Sequence, residues 1–412
     1  MLRCLGLHSS PAGEFAAVRA ASPFSQEEVD KSADLASQQA QPWDGGRFGY
    51  VRDVQEAVNN HGKVQLVRDT AHPGQFLAVK RMPTRWIRCG PAEFHKEHPK
   101  AFEKPWLDIG LVKLLNARRY PYVCKLHGVF HSEVETFVAT SFCGGGDLYE
   151  WVFRDSLAAP GPQREAQIRP IAIQLIDAVR WLHDFGIAHR DLSLENVLLV
   201  RSGPEEQVKL IDFGMATTAR TVRNETRGKL PYQAPECHTD QPADALLVDS
   251  FSIGVILFVM GVMDFPWACT EHGKCHLFDF VKAFGLKRFL AKRRLVRRGA
   301  GQLLIEAMSK EFADLLEAML RLNPRKRACL GERPFLEERR LRRRPCAPTI
   351  AYLKEDAGAA VSRLPAPSNG KKEKAALAIS TVSTFSSQLS CESALSGSSG
   401  SCSSSRSPRA WV

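Results

Sequence analysis

The sequence predicts an α+β chain of two lobes: a small antiparallel β-sheet lobe with one main helix, followed by a larger helical lobe. Three observations carry this. Strand-like runs crowd the region from Tyr50 to Ser141, helical spacings dominate beyond it, and the run Gly144-Gly145-Gly146 marks the change. With 412 residues, 44% of them hydrophobic, the chain can bury a large core in one two-lobed domain or in two domains.

Residues 1–45 are rich in Ser, Ala and Gln without a sustained apolar period, and are expected to form a flexible extension. The first lobe is assigned to 46–142. Val64-Gln65-Leu66-Val67 reads as a strand, His72-Pro73-Gly74 as a turn and Phe76 to Lys80 as the partner strand. Leu107, Leu111, Leu114 and Leu115 have helical spacing, and strands are expected around Val123–Phe130 and Phe137–Ser141. The second lobe is assigned to 143–345, with apolar helical faces over Ile168–His183, Val248–Val262, His276–Phe284 and Phe312–Leu322 and a strand over Val197–Val200. Residues 346–412 turn to Ser, Ala, Lys and Gly and are expected to be disordered, because they cannot bury enough apolar area to offset the entropy of ordering.

The net charge of +11 would suit an acidic partner, but much of the excess lies in Lys287–Arg298 and Arg339–Arg344, which read as solvated helical faces. No membrane or nucleic-acid partner is expected, and the chain is read as a monomer. Its 11 scattered cysteines lack the dense spacing of a secreted scaffold, placing it in the cytoplasm or the nucleus. Cys269, His272, Cys275 and His276 cluster in sequence but match no standard zinc spacing. No apolar run is read as long enough to span a bilayer.

The chemistry concentrates in His189-Arg190-Asp191-Leu192-Ser193-Leu194-Glu195-Asn196, between a helix and a strand. An Asp on a short loop, with an Asn five residues on, can orient a hydroxyl nucleophile and ligate a metal from one loop. Asp212-Phe213-Gly214 and Ala234-Pro235-Glu236 follow in order. The three motifs together resemble the eukaryotic-type protein kinase domain, over about 300 residues. The resemblance implies a bilobal kinase fold, ATP and Mg2+ as cofactors, and phosphoryl transfer to Ser/Thr hydroxyls of a protein substrate.

It also implies roles. Lys80, in Leu77-Ala78-Val79-Lys80, would grip the α- and β-phosphates; Asp191 would orient the acceptor hydroxyl; Asn196 and Asp212 would ligate the metal. Val64, Ala78 and Leu198 would sandwich the adenine, Thr140 and Phe142 belong to the hinge, and Asp147 would accept from the ribose. Two segments compete as the glycine-rich loop. Asp44–Val51 has more glycines, whereas Ala57–Val64 lies between two plausible strands and is favoured, with Gly62 at the turn. Asp108 is favoured over Glu103 as the partner of Lys80, although Asp is one methylene shorter than the Glu expected there.

The stretch from Asp212 to Glu236 resembles an activation segment, with Thr221 and Thr226 as candidate phosphosites and Arg190 as the cation to receive a phosphate. Glu236 with Arg327 resembles the family's buried ion pair, and Asp249 the residue that props the catalytic loop. Ser193 departs from the family's Lys, and Lys229, in Gly228-Lys229-Leu230-Pro231-Tyr232, stands where Thr is usual. Lys229 is therefore expected to reach toward Asp191 and supply the missing cation. The eroded glycine loop, Asp108 and Ser193 leave a second reading open, a pseudokinase acting as a nucleotide-binding or scaffolding module.

Overall fold

The computed structural model describes residues 22–56, 63–88, 94, 96–99, 102–202, 205–296 and 301–335. Among the described residues a helix comes first, α1 (Gln26–Gln38), followed by the strands β1 (Gln41–Pro42), β2 (Phe48–Glu56), β3 (Lys63–Asp69) and β4 (Phe76–Pro83). A short helix α2 (Thr84–Arg88) and the longer α3 (Pro105–Ala117) precede β5 (Leu126–His131) and β6 (Glu135–Ser141). The six strands form one sheet in the order β1-β5-β6-β4-β3-β2. All pairs are antiparallel except β1 with β5, which run parallel with Gln41 opposite Phe130. The sheet is thus mixed rather than wholly antiparallel.

The expectation of a flexible extension over 1–45 fails for its described part. Ser25 accepts from Glu28 N–H while the Glu28 carboxylate accepts from Ser25 N–H, a reciprocal box that opens α1. Val29, Ser32, Ala33 and Ala36 are buried on one face. That i, i+4, i+7 stripe escapes a hydrophobicity search because two of its three apolar members are alanines. Trp43 then stacks on Phe137 at 4.2 Å and on Phe48 at 4.5 Å, sealing one face of the sheet. Residues 1–21 and the tail 346–412 lie outside the described residues.

Alternation along β4 gives the sheet two different faces. Leu77 and Val79 are fully buried with Phe48, Phe130 and Phe137, whereas Ala78 and Lys80 are only half-buried on the opposite side. Directly opposed residues share a face, so Leu66 and Thr140 lie beside Ala78, and Val64 and Val138 beside Lys80. This second face looks onto the site.

Beyond Gly144-Gly145-Gly146 come α4 (Leu148–Val152), α5 (Pro162–Asp184), the hairpin β7 (Val197–Ser202) with β8 (Glu205–Leu210), and the short pair β9 (Thr221–Val222) with β10 (Ala243–Asp244). The helices α6 (Ala245–Val262), α7 (His276–Phe284), α8 (Leu286–Leu290) and α9 (Lys310–Met319) complete the described chain. One large apolar core joins α5, β7, α6 and α9. All 18 residues of α6 are buried, and its mean hydropathy of 2.3 over a membrane-spanning length corrects the expectation that no such run exists. A helix apolar on every side is here enclosed on every side.

The basic run from Lys287 is only partly a solvated face. Lys287 pairs with Glu317 at the surface, but Arg293 is largely buried and donates to Phe265 O, Pro266 O and Asp264. Cys269 and Cys275 are buried and His272 pairs with Asp279. Among the described residues no group of three His, Cys, Asp or Glu is placed to hold a metal.

Candidate active site

The catalytic-loop candidate owes its shape to a residue far away in sequence. Asp249 on α6 accepts from the backbone N–H of His189 (2.6 Å) and of Arg190 (2.9 Å), and so holds Arg190 in the left-handed region at φ 66°. The same carboxylate meets His183 Nε2 at 3.0 Å, and His183 Nδ1 meets Glu332 at 2.8 Å, all three side chains fully buried. Burial alone would lower the His183 pKa, but a carboxylate on each ring nitrogen raises it to about 9. His189, also buried, lies against Phe213 with ring centroids 5.1 Å apart and bonds Ile211 O, keying the loop to the Asp-Phe-Gly turn.

Asp191 lies at the centre. Asn196 Nδ2 donates to its Oδ2 at 3.0 Å and to its backbone oxygen at 2.8 Å, while its Oδ1 is buried without a hydrogen-bond partner. Burial, seconded by the Asp212 charge, pushes the Asp191 pKa up to about 7; Lys229 and Asn196 work against the rise. A carboxylate poised there can take a proton at neutral pH.

Lys80 is held among three acids. It donates to Asp108 at 3.0 Å and to Asp212 at 3.2 Å, with Glu103 at 4.0 Å. Burial opposes the ammonium, yet these carboxylates hold its pKa well above the ordinary lysine value. Asp108 is therefore the nearer partner, and its other oxygen accepts from Phe213 N–H at 2.9 Å. Burial in this acidic group raises Glu103 to about 7. Asp212 itself sits at φ 64°, and Lys80 depresses its pKa against the effect of burial.

The residues expected to contact the nucleotide come from both lobes. Val64, Ala78, Thr140, Phe142 and Leu198 are all half-buried. The hinge is stitched to β7 by Gly145 N–H to Leu199 O and Leu199 N–H to Gly146 O. A side chain at Gly145 would put its Cβ 2.4 Å from Leu199 O, so only glycine allows this approach. Asp147 caps α4 through Glu150 N–H at 2.8 Å, which occupies one oxygen of the carboxylate predicted to receive a ribose. Gly62 and the rest of 57–62 lie outside the described residues. The strands on either side are described: Val64 pairs with Lys80, while Phe48 pairs with Asp69 at the far end of the hairpin. Arg47, in the other candidate, makes a bidentate pair with Asp69.

One expectation about the segment after Asp212 changes. Gly228, at φ 80°, passes so close to the catalytic loop that a Cβ would lie 2.9 Å from Arg190 O and 3.1 Å from Asp191 Oδ1. Lys229 follows it, but its ammonium donates to Ser193 Oγ (3.1 Å) and forms an ion pair with Glu195 (3.0 Å) rather than reaching Asp191. The exchanged pair is in direct contact, and Lys229 acts on Asp191 through its charge alone. Arg190, for its part, is already paired. It donates to Glu225 O at 3.0 Å and lies 3.6 Å from the Glu225 carboxylate, which also meets Arg227 at 3.1 Å. Glu225 thus places an anion beside Arg190, and its neighbour Thr226 bonds Cys237 O. Sequence reasoning overlooked Glu225 because only the fold shows which residue meets Arg190. Glu236 and Arg327 form a bidentate pair at 2.6 and 2.8 Å, fixing the end of the segment beneath α6.

Residues 60–333 match the protein kinase domain family model, and the chain belongs to that family. CBL-interacting protein kinase 1 of Oryza sativa subsp. japonica is 30% identical over 316 residues, covering 76% of this chain and 59% of that protein. Serine/threonine-protein kinase cds1 of Schizosaccharomyces pombe is 28% identical over 271 residues, 63% of this chain and 52% of that protein. Serine/threonine-protein kinase kin-29 of Caenorhabditis elegans is 30% identical over 219 residues, 52% of this chain and 23% of that protein. The chain thus spans about half the length, or less, of these relatives.

Proposed function

We propose that the chain is a protein serine/threonine kinase that transfers the γ-phosphoryl group of ATP to Ser/Thr hydroxyls of protein substrates. The observation that carries this is Asp191. One of its oxygens is held by Asn196, and the other is buried without a partner, with the carboxyl pKa near neutrality. An acceptor hydroxyl would satisfy that oxygen and be aligned by it. Lys80, kept charged by Asp108 and Asp212, is the cation for the α- and β-phosphates.

Asn196 and Asp212 offer hard oxygen donors suited to Mg2+. With no self-contained cage among the described residues, an ion here would complete its shell from phosphate oxygens and water. When bound it would neutralise charge on the phosphates; the chain's own part is to fix Asp212 through Lys80 and Asn196 through Asp191.

The test is incorporation of radiolabelled phosphate from Mg·ATP into the chain itself and into a mixed Ser/Thr peptide library. Wild type is expected to label both. Asp212→Ala and Asp191→Asn are expected to fall by at least about 10³-fold, as when acid-base and metal-positioning groups are lost. Equal labelling by wild type and Asp212→Ala, or none by wild type, would refute the reading in favour of a scaffolding module.

A further inference from the structure

Asp108 poses a problem of reach. Its carboxylate stops one methylene short of a Glu at the same place, yet it lies 3.0 Å from Lys80. The main helix α3 must therefore sit closer to β4 than a Glu would require. Something has to hold it there, because the charge pair alone would also be satisfied by a rotated or shifted helix.

The helix α1 packs on the other side of α3. Gly110 stands two residues after Asp108, or about 200° around the helix, so it faces away from the lysine. A Cβ at Gly110 would be 2.9 Å from Val29 O and 3.0 Å from both the N and the Cβ of Ala33. The two helices meet backbone to backbone at this point. Ser32 Oγ donates to Gly110 O at 3.0 Å, and Lys113 Nζ to Gln39 Oε1 at 2.8 Å. Val29 is completely buried, and Ala33 and Ala36 nearly so.

The helix α1 is itself tied to fixed structure at both ends. Ahead of it, Phe24 N–H donates to Phe185 O at 2.8 Å and the two rings lie 5.4 Å apart, at the end of α5. Arg118, just after α3, covers the Phe24 ring at 4.8 Å. Behind it, β1 joins the edge of the sheet beside β5. Gln26 accepts from Thr218, a few residues after the Asp-Phe-Gly turn. Contacts with the helical lobe, the sheet and the activation segment therefore converge on one short helix.

We infer that α1 is a built-in brace that presses on α3 at Gly110 and so seats the short Asp108 against Lys80. Val29, Ser32, Ala33 and Gly110 are then positioning residues for the Lys80 site. The inference rests on the kinase reading only for its activity readout. Its second readout, hydrogen exchange, stands without it.

In the full chain, Val29→Asp puts a charge into the buried contact, and Gly110→Ala adds a methyl that only a separation of the two helices can accommodate. Because Ala favours a helix more than Gly, the second variant keeps α3 itself helical. Both are expected to lower kcat/KM, by about 10- to 100-fold for Val29→Asp, the scale of a 1 Å misplacement. Adding Asp108→Glu, whose extra methylene spans a widened gap, is expected to restore at least about ten-fold of that loss while giving no gain in wild type. Asp34→Ala, on the exposed side of α1, is expected to change nothing. Amide exchange should rise in α3 of both variants and stay unchanged in α5 and α6. The inference is overturned by full activity in both variants, by no rescue from Asp108→Glu, or by unchanged α3 protection. If wild type shows no transfer at all, the kinase reading fails, and α3 exchange alone decides the brace.

Discussion

The buried chain Asp249–His183–Glu332 predicts a pH dependence that can be calculated. His183 titrates near 6.5 when unfolded and near 9 in the fold. A histidine whose folded pKa is raised contributes stability fully below its unfolded value and loses it as pH climbs through the folded value. Linkage between these two numbers gives about 2.5 kcal/mol at pH 7 and about 0.5 kcal/mol at pH 9, a fall of about 2 kcal/mol across that window. Other shifted groups add to this slope in any variant that keeps them. Glu103 and Asp191, carboxyls raised to about 7, each lose about 0.4 kcal/mol above pH 7, and Cys237, raised by burial to about 11, loses about as much by pH 9. The His183 contribution is therefore read as a difference between two proteins.

The perturbation is His183→Gln. A neutral amide can donate to one carboxylate but leaves the other, Asp249 or Glu332, buried and unmatched, a loss of about 3–5 kcal/mol for a broken buried pair. The measurement is urea unfolding of wild type and variant at half-unit steps from pH 6.5 to 9.5, with kcat followed in parallel. From pH 7 to 9 wild type should weaken by about 2 kcal/mol more than the variant, which should be weaker throughout. Because Asp249 also holds the strained Arg190 backbone, kcat should fall with it. Parallel pH profiles for the two proteins would refute the assignment of a charged His183, whatever their absolute stabilities.

Further outcomes follow from the same geometry. The rate should rise with pH through about 7 as Asp191 loses its proton, and Lys229→Ala should move that limb to higher pH, because the Lys229 charge holds the Asp191 pKa down; an unmoved limb in the variant would remove Lys229 from the site. Glu225→Gln strips the anion from between Arg190 and Arg227, and should cost about 1–3 kcal/mol and open residues 217–227 to limited proteolysis; unchanged cleavage would show that Glu225 does not fix the segment. Gly145→Ala drives a methyl against Leu199 O and should cost about 1–3 kcal/mol by thermal melting, with weaker nucleotide binding because the hinge shifts; an unaltered melting temperature would refute the tight hinge contact.

Much of the site is visible in the chain because it depends on short-range constraints. Asp191 and Asn196 are five residues apart on one loop, so their contact at 3.0 Å follows from local geometry. The bounds of α7 coincide with the apolar period over His276–Phe284, and β4 with its alternation. Helix α1 was less visible. Its buried face is made of small residues whose value lies in letting backbones approach, a property that hydrophobicity does not measure. The strand β8 likewise hides behind the polar run Glu205-Glu206-Gln207 and is defined by its pairing with β7.

By itself, then, the sequence determined the lobes, the order of the motifs and the identities of Lys80, Asp191, Asn196 and Asp212, since each is set by residue type and local period. The tertiary structure decided the pairings that span long stretches of chain. It put Asp108 nearer than Glu103 to Lys80, placed Glu225 beside Arg190, turned Lys229 to Ser193 and Glu195, and laid α1 across Gly110. Side-chain charge says only that such partners attract. Which one arrives is settled by the packing of α3, α6 and the 212–236 segment, where one methylene or one missing Cβ changes the answer.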